Sequence, residues 1–215
     1  MKILLPDKKL LQKTGDVDYF NWNYKFPINI IQKYRFKRIA KLLGKKKFNT
    51  LLEAGTGSGI FLPELSKHCI NLYACDIHNN YEHIQTLCKK YNINNCVVNQ
   101  QNIEKTTFTD NFFDVIVAVS VLEFVKDIRI ATDEIKRILN PDGIFITICP
   151  MHSSFLDLVL SLYSTKKPKE EFGNSRLVVT KYLEENFTII KKGYMLPIIG
   201  RWFPIYTHYV MSKKN

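Results

Sequence analysis

The sequence predicts an α/β fold in which a largely parallel β-sheet is covered by helices on both faces. From residue 49 to residue 150, short apolar runs alternate with runs of helical periodicity. Such alternation requires parallel strands joined by right-handed crossovers. Two of the apolar runs end in groups suited to a ligand, a glycine-rich turn at 55–59 and an aspartate at 76. Since ligands bind at the carboxyl ends of parallel strands, we expect a binding site there.

Length and composition indicate one globular domain. The chain has 215 residues, 46% of them apolar and 13% aromatic, which suits a single domain with a sizeable core. No apolar run is long enough to span a membrane, and residues 1–7 are too short and too charged for a signal peptide. The five cysteines form no C-x-x-C pair, so we expect reduced thiols in a cytoplasmic protein.

Charge divides the chain into two parts. Residues 1–48 contain 13 Lys and Arg against three Asp, a net charge of +10, whereas residues 49–215 have a net charge of only +1. We therefore predict a basic and aromatic N-terminal extension at 1–48 that packs on or caps a nearly neutral domain at 49–215. Charge distributed in this way is informative about binding partners rather than about fold.

The N-terminal extension contains an aromatic, asparagine-rich patch at 18–26 and a predicted helix from Ile28 that ends at Gly44. Apolar residues of this helix fall near one face and its lysines and arginines elsewhere. One interpretation is a solvated basic face on a helix that packs against the sheet. The other is a basic amphipathic surface that meets anionic lipid or RNA.

The glycine turn follows a strand predicted at 49–54 and precedes a helix predicted at 60–68. Its glycines, Gly55, Gly57 and Gly59, have the spacing G-x-G-x-G, one residue shorter than a dinucleotide-binding fingerprint. A Lys-Ser/Thr pair, which a phosphate-binding P-loop needs, is absent. Glu53 stands two residues before the first glycine.

A second strand, predicted at 72–75, ends in Asp76, about 20 residues beyond the glycines, where a carboxylate can accept both ribose hydroxyls. Further elements are predicted as helices at 80–91, 126–139, 155–163 and 178–186, a turn at 140–143, and strands at 96–98, 113–120, 144–149, 187–195 and 207–211.

Glu-x-Gly-x-Gly-x-Gly after a strand resembles motif I of the class I S-adenosylmethionine-dependent methyltransferases, in particular those of type 11. The resemblance covers residues 49–150 and implies a Rossmann-like three-layer α/β/α sandwich, with a seven-stranded sheet of order 3-2-1-4-5-7-6 whose last strand is antiparallel. The turn and the helix N-terminus would hold the methionine carboxylate of the cofactor. The cofactor-binding residues implied are Glu53, Gly55, Thr56, Gly57, Gly59, Asp76, Ile77, Asn102, Ile103 and Ser120.

Two positions differ from the family pattern. Asn102 stands where the family has an acid that holds the adenine amino group, although an amide carbonyl can accept the same hydrogen bond. The segment Ser120–Val125 resembles the family's segment after strand four, which lies between cofactor and acceptor. It lacks Asn/Asp-Pro-Pro-Tyr, and this argues against enzymes that methylate DNA bases or protein amides.

Methyl transfer needs little acid–base chemistry because the sulfonium is already activated, but a base helps when the acceptor is a hydroxyl or an acidic carbon. His152, just past the fifth strand, and Glu123 are the candidate catalytic bases. His78 is expected near the ribose or in solvent, and His208 is expected to be structural. No His/Cys/Asp cluster has the spacing of metal ligands, so no metal site is predicted.

The acceptor is predicted from the segments outside the family core, at 19–26, 155–163 and 196–206, which are apolar and aromatic. They favour a small, apolar or amphiphilic acceptor, with peripheral contact to an anionic membrane through the basic helix. A second hypothesis is an RNA methyltransferase that uses the basic segment for phosphates and the aromatic residues for stacking. A third is a cofactor-binding scaffold without catalysis.

Overall fold

In a computed structural model, which describes residues 3–16, 18–151, 175–195 and 205–214, the chain forms one seven-stranded sheet. The strand order β3-β2-β1-β4-β5-β7-β6 is the predicted one, and only β7 runs antiparallel to its neighbours β5 and β6. The strands are β1 (Phe48–Ala54), β2 (Cys69–Asp76), β3 (Cys96–Gln100), β4 (Phe113–Val119), β5 (Leu139–Pro150), β6 (Phe187–Tyr194) and β7 (Tyr206–Lys213).

Helices cover both faces of the sheet. The described α-helices are α1 (Ile28–Leu43), α2 (Leu62–Leu65), α3 (Glu82–Lys90), α4 (Ile128–Ile138) and α5 (Ser175–Asn186), with short 3-10 turns at Lys8–Leu10, Phe20–Tyr24, Ser66–His68 and Leu122–Phe124. Helices α1, α2 and α3 share one apolar cluster with the sheet, and α4 and α5 share a second. The three-layer sandwich expected from the sequence is therefore confirmed.

The central strands are buried on both faces, as their apolar composition predicts. In β1, Leu51 packs into the cluster under α1, whereas Leu52 and Ala54 pack into the cluster under α4. In β4, Val115 and Ile116 divide between the two clusters in the same way. A sheet buried on both sides exposes ligand-binding groups only at the ends of its strands, and this positions the site.

The predicted helix at 60–68 is wrong in length. The chain is still turning at Ile60, α2 spans Leu62–Leu65, and a 3-10 turn completes the segment before β2 begins at Cys69. Pro63 occupies the first turn of α2, where its missing N–H costs nothing. The eight residues between Ile60 and β2 leave room for only one turn of each kind.

Two further boundaries differ. Residues 140–143, predicted as a turn before the fifth strand, belong to β5, which begins at Leu139 directly after α4 and pairs with Phe113 across a register shift. The helix predicted at 155–163 and most of the loop at 196–206 lie outside the described residues. Within the described ranges, no helix is long and apolar enough to cross a membrane.

The described part of the N-terminal segment packs against the domain. Ile3, Leu11, Phe20 and Trp22 are buried in the same cluster as α1. Backbone and side-chain contacts reach distant elements: the Leu4 amide donates to Glu64 in α2, and the Asp7 amide to the Tyr91 hydroxyl after α3. The segment thus contacts α2 and the carboxyl end of α3, and its 3-10 turn at Phe20–Tyr24 then contributes to the cavity described below.

Candidate functional site

The glycine turn after β1 allows another loop to come unusually close. Gly55, Gly57 and Gly59 have φ angles of 75°, 50° and 75°, a region that favours glycine. A Cβ on Gly55 would lie 2.3 Å from Cγ2 of Val121. The loop after β4 therefore reaches the turn only because residue 55 has no side chain.

The N–H groups of the turn are largely used within the protein. Gly55 and Thr56 both donate to the Cys75 carbonyl, at 2.8 and 3.1 Å, and Gly57 donates to a carboxylate oxygen of Asp76 at 2.8 Å. Helix α2 is too short to provide an N-terminal anion site. The turn is thus shaped for close approach, and the internal bonds of its N–H groups at residues 55–57 do not favour the predicted carboxylate site, which stays a prediction.

Glu53, at the end of β1, is a buried acid below the turn. Its Oε2 accepts a hydrogen bond of 2.8 Å from the Thr56 hydroxyl. Burial raises the pKa of Glu53 to about 8, although the Thr56 hydrogen bond opposes the shift and Asp76 adds to it. A cation above the turn would favour the ionised form of this carboxylate.

Asp76 ends β2 and lies beside the turn, as the sequence predicts. Its Oδ2 accepts from the Gly57 N–H and its Oδ1 from the Ile77 N–H, both at 2.8 Å. These bonds fix the carboxylate, and each oxygen keeps a lone pair for a further donor. Ile77 itself is exposed, and its carbonyl accepts from the Gln100 side chain of β3. A fixed carboxylate at this position suits vicinal hydroxyl groups.

A third carboxylate, Asp18, reaches the turn from the N-terminal segment. It accepts from the amide and hydroxyl of Thr14 and from the Phe20 amide, at 3.0 to 3.2 Å. Its carboxyl lies 3.8 Å from where a Cβ on Gly57 would stand. Burial raises the pKa of Asp18, and the charge of Asp76 contributes in the same direction. Three acids thus converge on one turn, which favours a cationic ligand.

The residues after β3 form the far wall. Asn102 is exposed; its Oδ1 accepts from the Glu104 amide at 2.9 Å and its amide nitrogen donates to the Glu104 carboxylate. Ile103 is buried. The Asn102 carbonyl oxygen therefore already has one donor but keeps a second lone pair, so it can still accept from a ligand amino group.

Arg35 of α1 points into the space between the turn and β4. Its Nη1 donates to the Ser120 hydroxyl at 2.8 Å, and its Nη2 donates to Gln32. Its guanidinium carbon lies 5.5 Å from the ring centroids of both Phe36 and Tyr206. Among the described residues, no carboxylate lies within ion-pair distance of Arg35. A held guanidinium without an acidic partner suits an anionic group of a ligand.

Glu123 lies in the 3-10 turn after β4 and is buried, with 5% of its surface exposed. The buried Tyr206 begins β7 and lies close enough for the two side chains to interact. Burial raises the pKa of the Tyr206 phenol, the Arg35 charge opposes this, and the Glu123 charge adds to it. The second predicted catalytic residue thus stands on the β4–β5–β7 side of the site, away from Asp76.

The histidines occupy different places. His152 lies outside the described residues. His78 lies beside the turn, with its Nε2 3.0 Å from the Gly57 carbonyl oxygen. His208, in β7, contacts Arg38 of α1 through Nε2, and burial together with that arginine lowers its pKa to about 4. Within the described ranges, no group of His, Cys, Asp and Glu could hold a metal ion.

One cavity of about 350 Å³ lies at the carboxyl ends of the strands, and Asp18, Arg35 and Asp76 are among the residues that line it. The side over β1, β2 and β3, which we call the acidic side, carries Asp18, Glu53 and Asp76. The remaining part, which we call the aromatic side, combines residues of the N-terminal segment and α1 with residues that follow β4 and stand at the ends of β5 and β7: Phe20, Trp22, Phe36, Glu123, Phe124, Pro150 and Tyr206. Arg35 and Ser120 lie at the boundary. Of the predicted site residues that the structure describes, all except Gly59 line this cavity.

Asp18, Arg35 and Tyr206 line the site but were not predicted as site residues. Asp18 and Arg35 precede Gly55, the first glycine of the turn, by 37 and 20 positions, and Tyr206 follows Gly55 by 151. Their side chains belong to elements whose place over the strand ends depends on tertiary packing. One signal in the sequence was available for Arg35, namely an arginine on the same predicted helix as the apolar residues that face the sheet.

Comparison with known proteins identifies the domain. Residues 52–147 match the family described as methyltransferase domain. None of the curated proteins compared with the chain matches it.

Several solved structures share the fold. A SAM-dependent methyltransferase from Aquifex aeolicus is 20% identical, with a TM-score of 0.65, and the alignment covers 88% of this chain and 100% of that one. The N-methyltransferase NodS from Bradyrhizobium japonicum, solved in complex with S-adenosyl-L-homocysteine, is 17% identical, with a TM-score of 0.64 and coverage of 97% and 98%. A protein from Pyrococcus horikoshii is 16% identical, with a TM-score of 0.70 and coverage of 93% and 100%.

Proposed function

We propose that this chain, whose residues 52–147 form a class I S-adenosylmethionine-dependent methyltransferase domain, methylates a small acceptor that is apolar or amphiphilic. The observation that carries the proposal is the division of one cavity into an acidic side and an aromatic side. A volume of about 350 Å³ among the described residues is that of a small-molecule site. The described lining of the aromatic side offers rings and one buried acid, and this suits an acceptor with an extended apolar part.

The chemistry of the acidic side fits S-adenosylmethionine. When bound, this cofactor supplies a methyl group that its sulfonium has already activated. Asp76 accepts from the ribose hydroxyls, and Glu53 and Asp18 stabilise the positive charge of the methionine part. Asp18, Glu53 and Asp76 line this side, and their carboxyl groups would fit the phosphates of a dinucleotide poorly.

Arg35 is the group that we propose binds the methionine carboxylate, a role that the resemblance assigned to the glycine turn. The methionine carboxylate needs a donor, and the turn's N–H groups at residues 55–57 are bonded within the protein. Arg35 stands beside the turn, is oriented by Ser120 and Gln32, and has N–H groups to spare. We therefore assign the carboxylate of the cofactor to Arg35.

Glu123 is the group within the described residues that can take a proton from the acceptor. The bound cofactor would supply the methyl group, whose bond to sulfur breaks with the electron pair left on sulfur, and the Glu123 carboxylate would take the proton of the acceptor's hydroxyl or acidic carbon. The surrounding apolar side chains exclude water and hold the acceptor in line. His152 remains a second candidate base.

Calorimetric titration with S-adenosylmethionine and S-adenosylhomocysteine tests the cofactor site. We expect micromolar binding in the wild type. Asp76→Ala and Arg35→Gln each lose hydrogen bonds to a charged group and should weaken binding by roughly ten- to a hundredfold. Lys37→Gln, which removes an exposed charge from the same helix as Arg35, is the matched control and should bind normally.

Absence of binding by the wild type would contradict the cofactor assignment. Normal binding by Arg35→Gln would contradict only the proposal that Arg35 binds the methionine carboxylate, and the cofactor assignment would stand. With the cofactor bound, a screen of small hydroxylated aromatic and alkyl compounds for transfer of radioactive methyl tests the acceptor class. Turnover only with RNA would overturn it, and cofactor binding without any turnover would favour a scaffold.

A further inference from the structure

The outer face of α1 carries an apolar tip followed by a row of lysines. Phe26 and Ile30 are 76% and 61% exposed, and Phe26 is the most exposed large apolar side chain in the described ranges. Lys33, Lys37 and Lys41 continue at spacings of three and four residues. Within α1, Ile30 and the three lysines are so spaced that they lie on one side of the helix, and Phe26 precedes the first residue of α1 by two positions. We call this set of five residues the α1 stripe.

The α1 stripe faces away from the cavity. The residues of α1 that line the cavity are Gln32, Arg35 and Phe36, and at 100° per residue they fall on the opposite side of the helix from Ile30 and Lys37. The segment that leads into the stripe, Phe20–Tyr24, supplies the cavity wall through Phe20 and Trp22. The apolar tip therefore lies within a few residues of the aromatic side of the site.

The lysines of the α1 stripe have no acidic partner. None of Lys33, Lys37 and Lys41 forms an ion pair with a described carboxylate, and α1 itself contains no Asp or Glu. Exposed Lys45, Lys46 and Lys47 extend the positive charge beyond Gly44. An unpaired row of cations along a helix about 24 Å long is complementary to a negatively charged surface.

We propose that the α1 stripe docks this enzyme onto an anionic lipid bilayer. Phe26 and Ile30 insert among the acyl chains at the headgroup boundary, and the lysines lie along the anionic headgroups. An exposed aliphatic Ile30 beside Phe26 favours lipid over RNA, because nucleic-acid surfaces offer stacking for an aromatic ring but nothing apolar for an isoleucine. The proposal rests on the proposed function only in that an amphiphilic acceptor would be delivered from the same bilayer.

Co-sedimentation of the full chain with vesicles tests the docking. Phosphatidylcholine vesicles with and without a third of phosphatidylglycerol are compared at low and high salt. We expect binding only to the anionic vesicles, weakened by salt because surface charges are screened. Lys37→Gln with Lys41→Gln should lower the partition coefficient roughly fivefold per lysine. Phe26→Ser with Ile30→Ser should lower it at least tenfold.

Matched controls separate the stripe from general charge and apolarity. Lys89→Gln with Lys90→Gln removes two exposed lysines from the end of α3, and Ile190→Ser removes an exposed isoleucine from β6. Both should bind vesicles like the wild type. Binding of S-adenosylhomocysteine by every variant checks folding, and since vesicle binding requires no turnover, the docking can fail while the methyltransferase assignment stands.

Three results would overturn the proposal. Equal binding to neutral and anionic vesicles would remove the role of the lysines. Wild-type affinity in both stripe variants would place any membrane contact elsewhere on the chain. Tight binding of a single-stranded RNA that competes with vesicles, unchanged by Ile30→Ser, would make the stripe a nucleic-acid surface instead.

Discussion

The acidic and aromatic sides of the cavity are built in different ways. Apart from Asp18, the carboxylates and glycines of the acidic side come from 24 consecutive residues, Glu53 to Asp76, which run from the end of β1 through the glycine turn and α2 to the end of β2. The aromatic side is assembled from the N-terminal segment, α1, the turn after β4, and the ends of β5 and β7. On the function proposed above, the cofactor, which many enzymes share, would be bound largely by a local motif, and the acceptor, which is specific to one enzyme, by distant segments brought together by the fold.

The largest expected effect separates chemistry from cofactor binding. Glu123→Gln should lower kcat by roughly 10²–10⁴-fold if Glu123 is the general base, and should leave the affinity for S-adenosylhomocysteine unchanged because the residue stands on the aromatic side. Glu104→Gln, which alters another carboxylate lining the same cavity, is the matched control. Methyl transfer to the best acceptor of the screen is the measurement. A normal kcat in Glu123→Gln would mean that Glu123 is not the base, and that either His152 has this role or the reaction needs no base.

The second prediction concerns the pH dependence of cofactor binding on the acidic side. Because the pKa of Glu53 is about 8, the carboxyl is mostly neutral at pH 6, and binding of a cation must first release its proton. Affinity for S-adenosylmethionine should therefore rise as the pH rises from 6, by at most about a hundredfold, and level off above pH 8.

Calorimetry across this range, in buffers of different ionisation enthalpy, measures both the affinity and the proton released. In Glu53→Gln the proton release assigned to this carboxyl should disappear, and the dependence of affinity on pH should become flatter. An identical profile in the variant would assign the titration to the cofactor's own amino group.

The smallest effect tests whether the N-terminal segment completes the acidic side. Asp18→Asn keeps the shape of the side chain but removes its charge, so affinity for S-adenosylmethionine should fall by about three- to tenfold, no more than one pKa unit's worth of interaction. Asp16→Asn, two residues away and exposed, should change nothing. Equal affinities in the two variants would restrict the acidic side to Glu53 and Asp76.

The same division explains how much the sequence could predict. The glycine spacing, Glu53 and Asp76 were recognisable because the geometry they need is formed within one strand–turn–helix–strand unit. The strand order followed from resemblance and is confirmed. Helix α2 was predicted too long because the whole run from Ile60 to His68 is compatible with a helix, whereas the chain forms α2 only at Leu62–Leu65 and continues as a 3-10 turn.

Residues of the aromatic side could not be placed from sequence for a physical reason. Arg35 and Tyr206 are 171 positions apart, yet the guanidinium stacks on the phenol ring at 5.5 Å. Such a contact is set by how α1 packs over the sheet, and no local pattern encodes it. Composition alone predicted that these segments are aromatic, and this was enough to suggest the kind of acceptor but not the residues that meet it.

The strand order has a consequence for how the protein forms during synthesis. β7 lies between β5 and β6 in the sheet, so β6 has no partner until a segment made after it, Tyr206–Lys213, leaves the ribosome. The pairing of β5 with β7 also brings Tyr206 to Arg35. The nascent chain can therefore form the acidic side from its first four strands while the aromatic side still awaits its last one. Until then the open edges of β5 and β6 need protection from aggregation. A chain cut before β7 would lose the strand that pairs with both of them and, with Tyr206, part of the aromatic side.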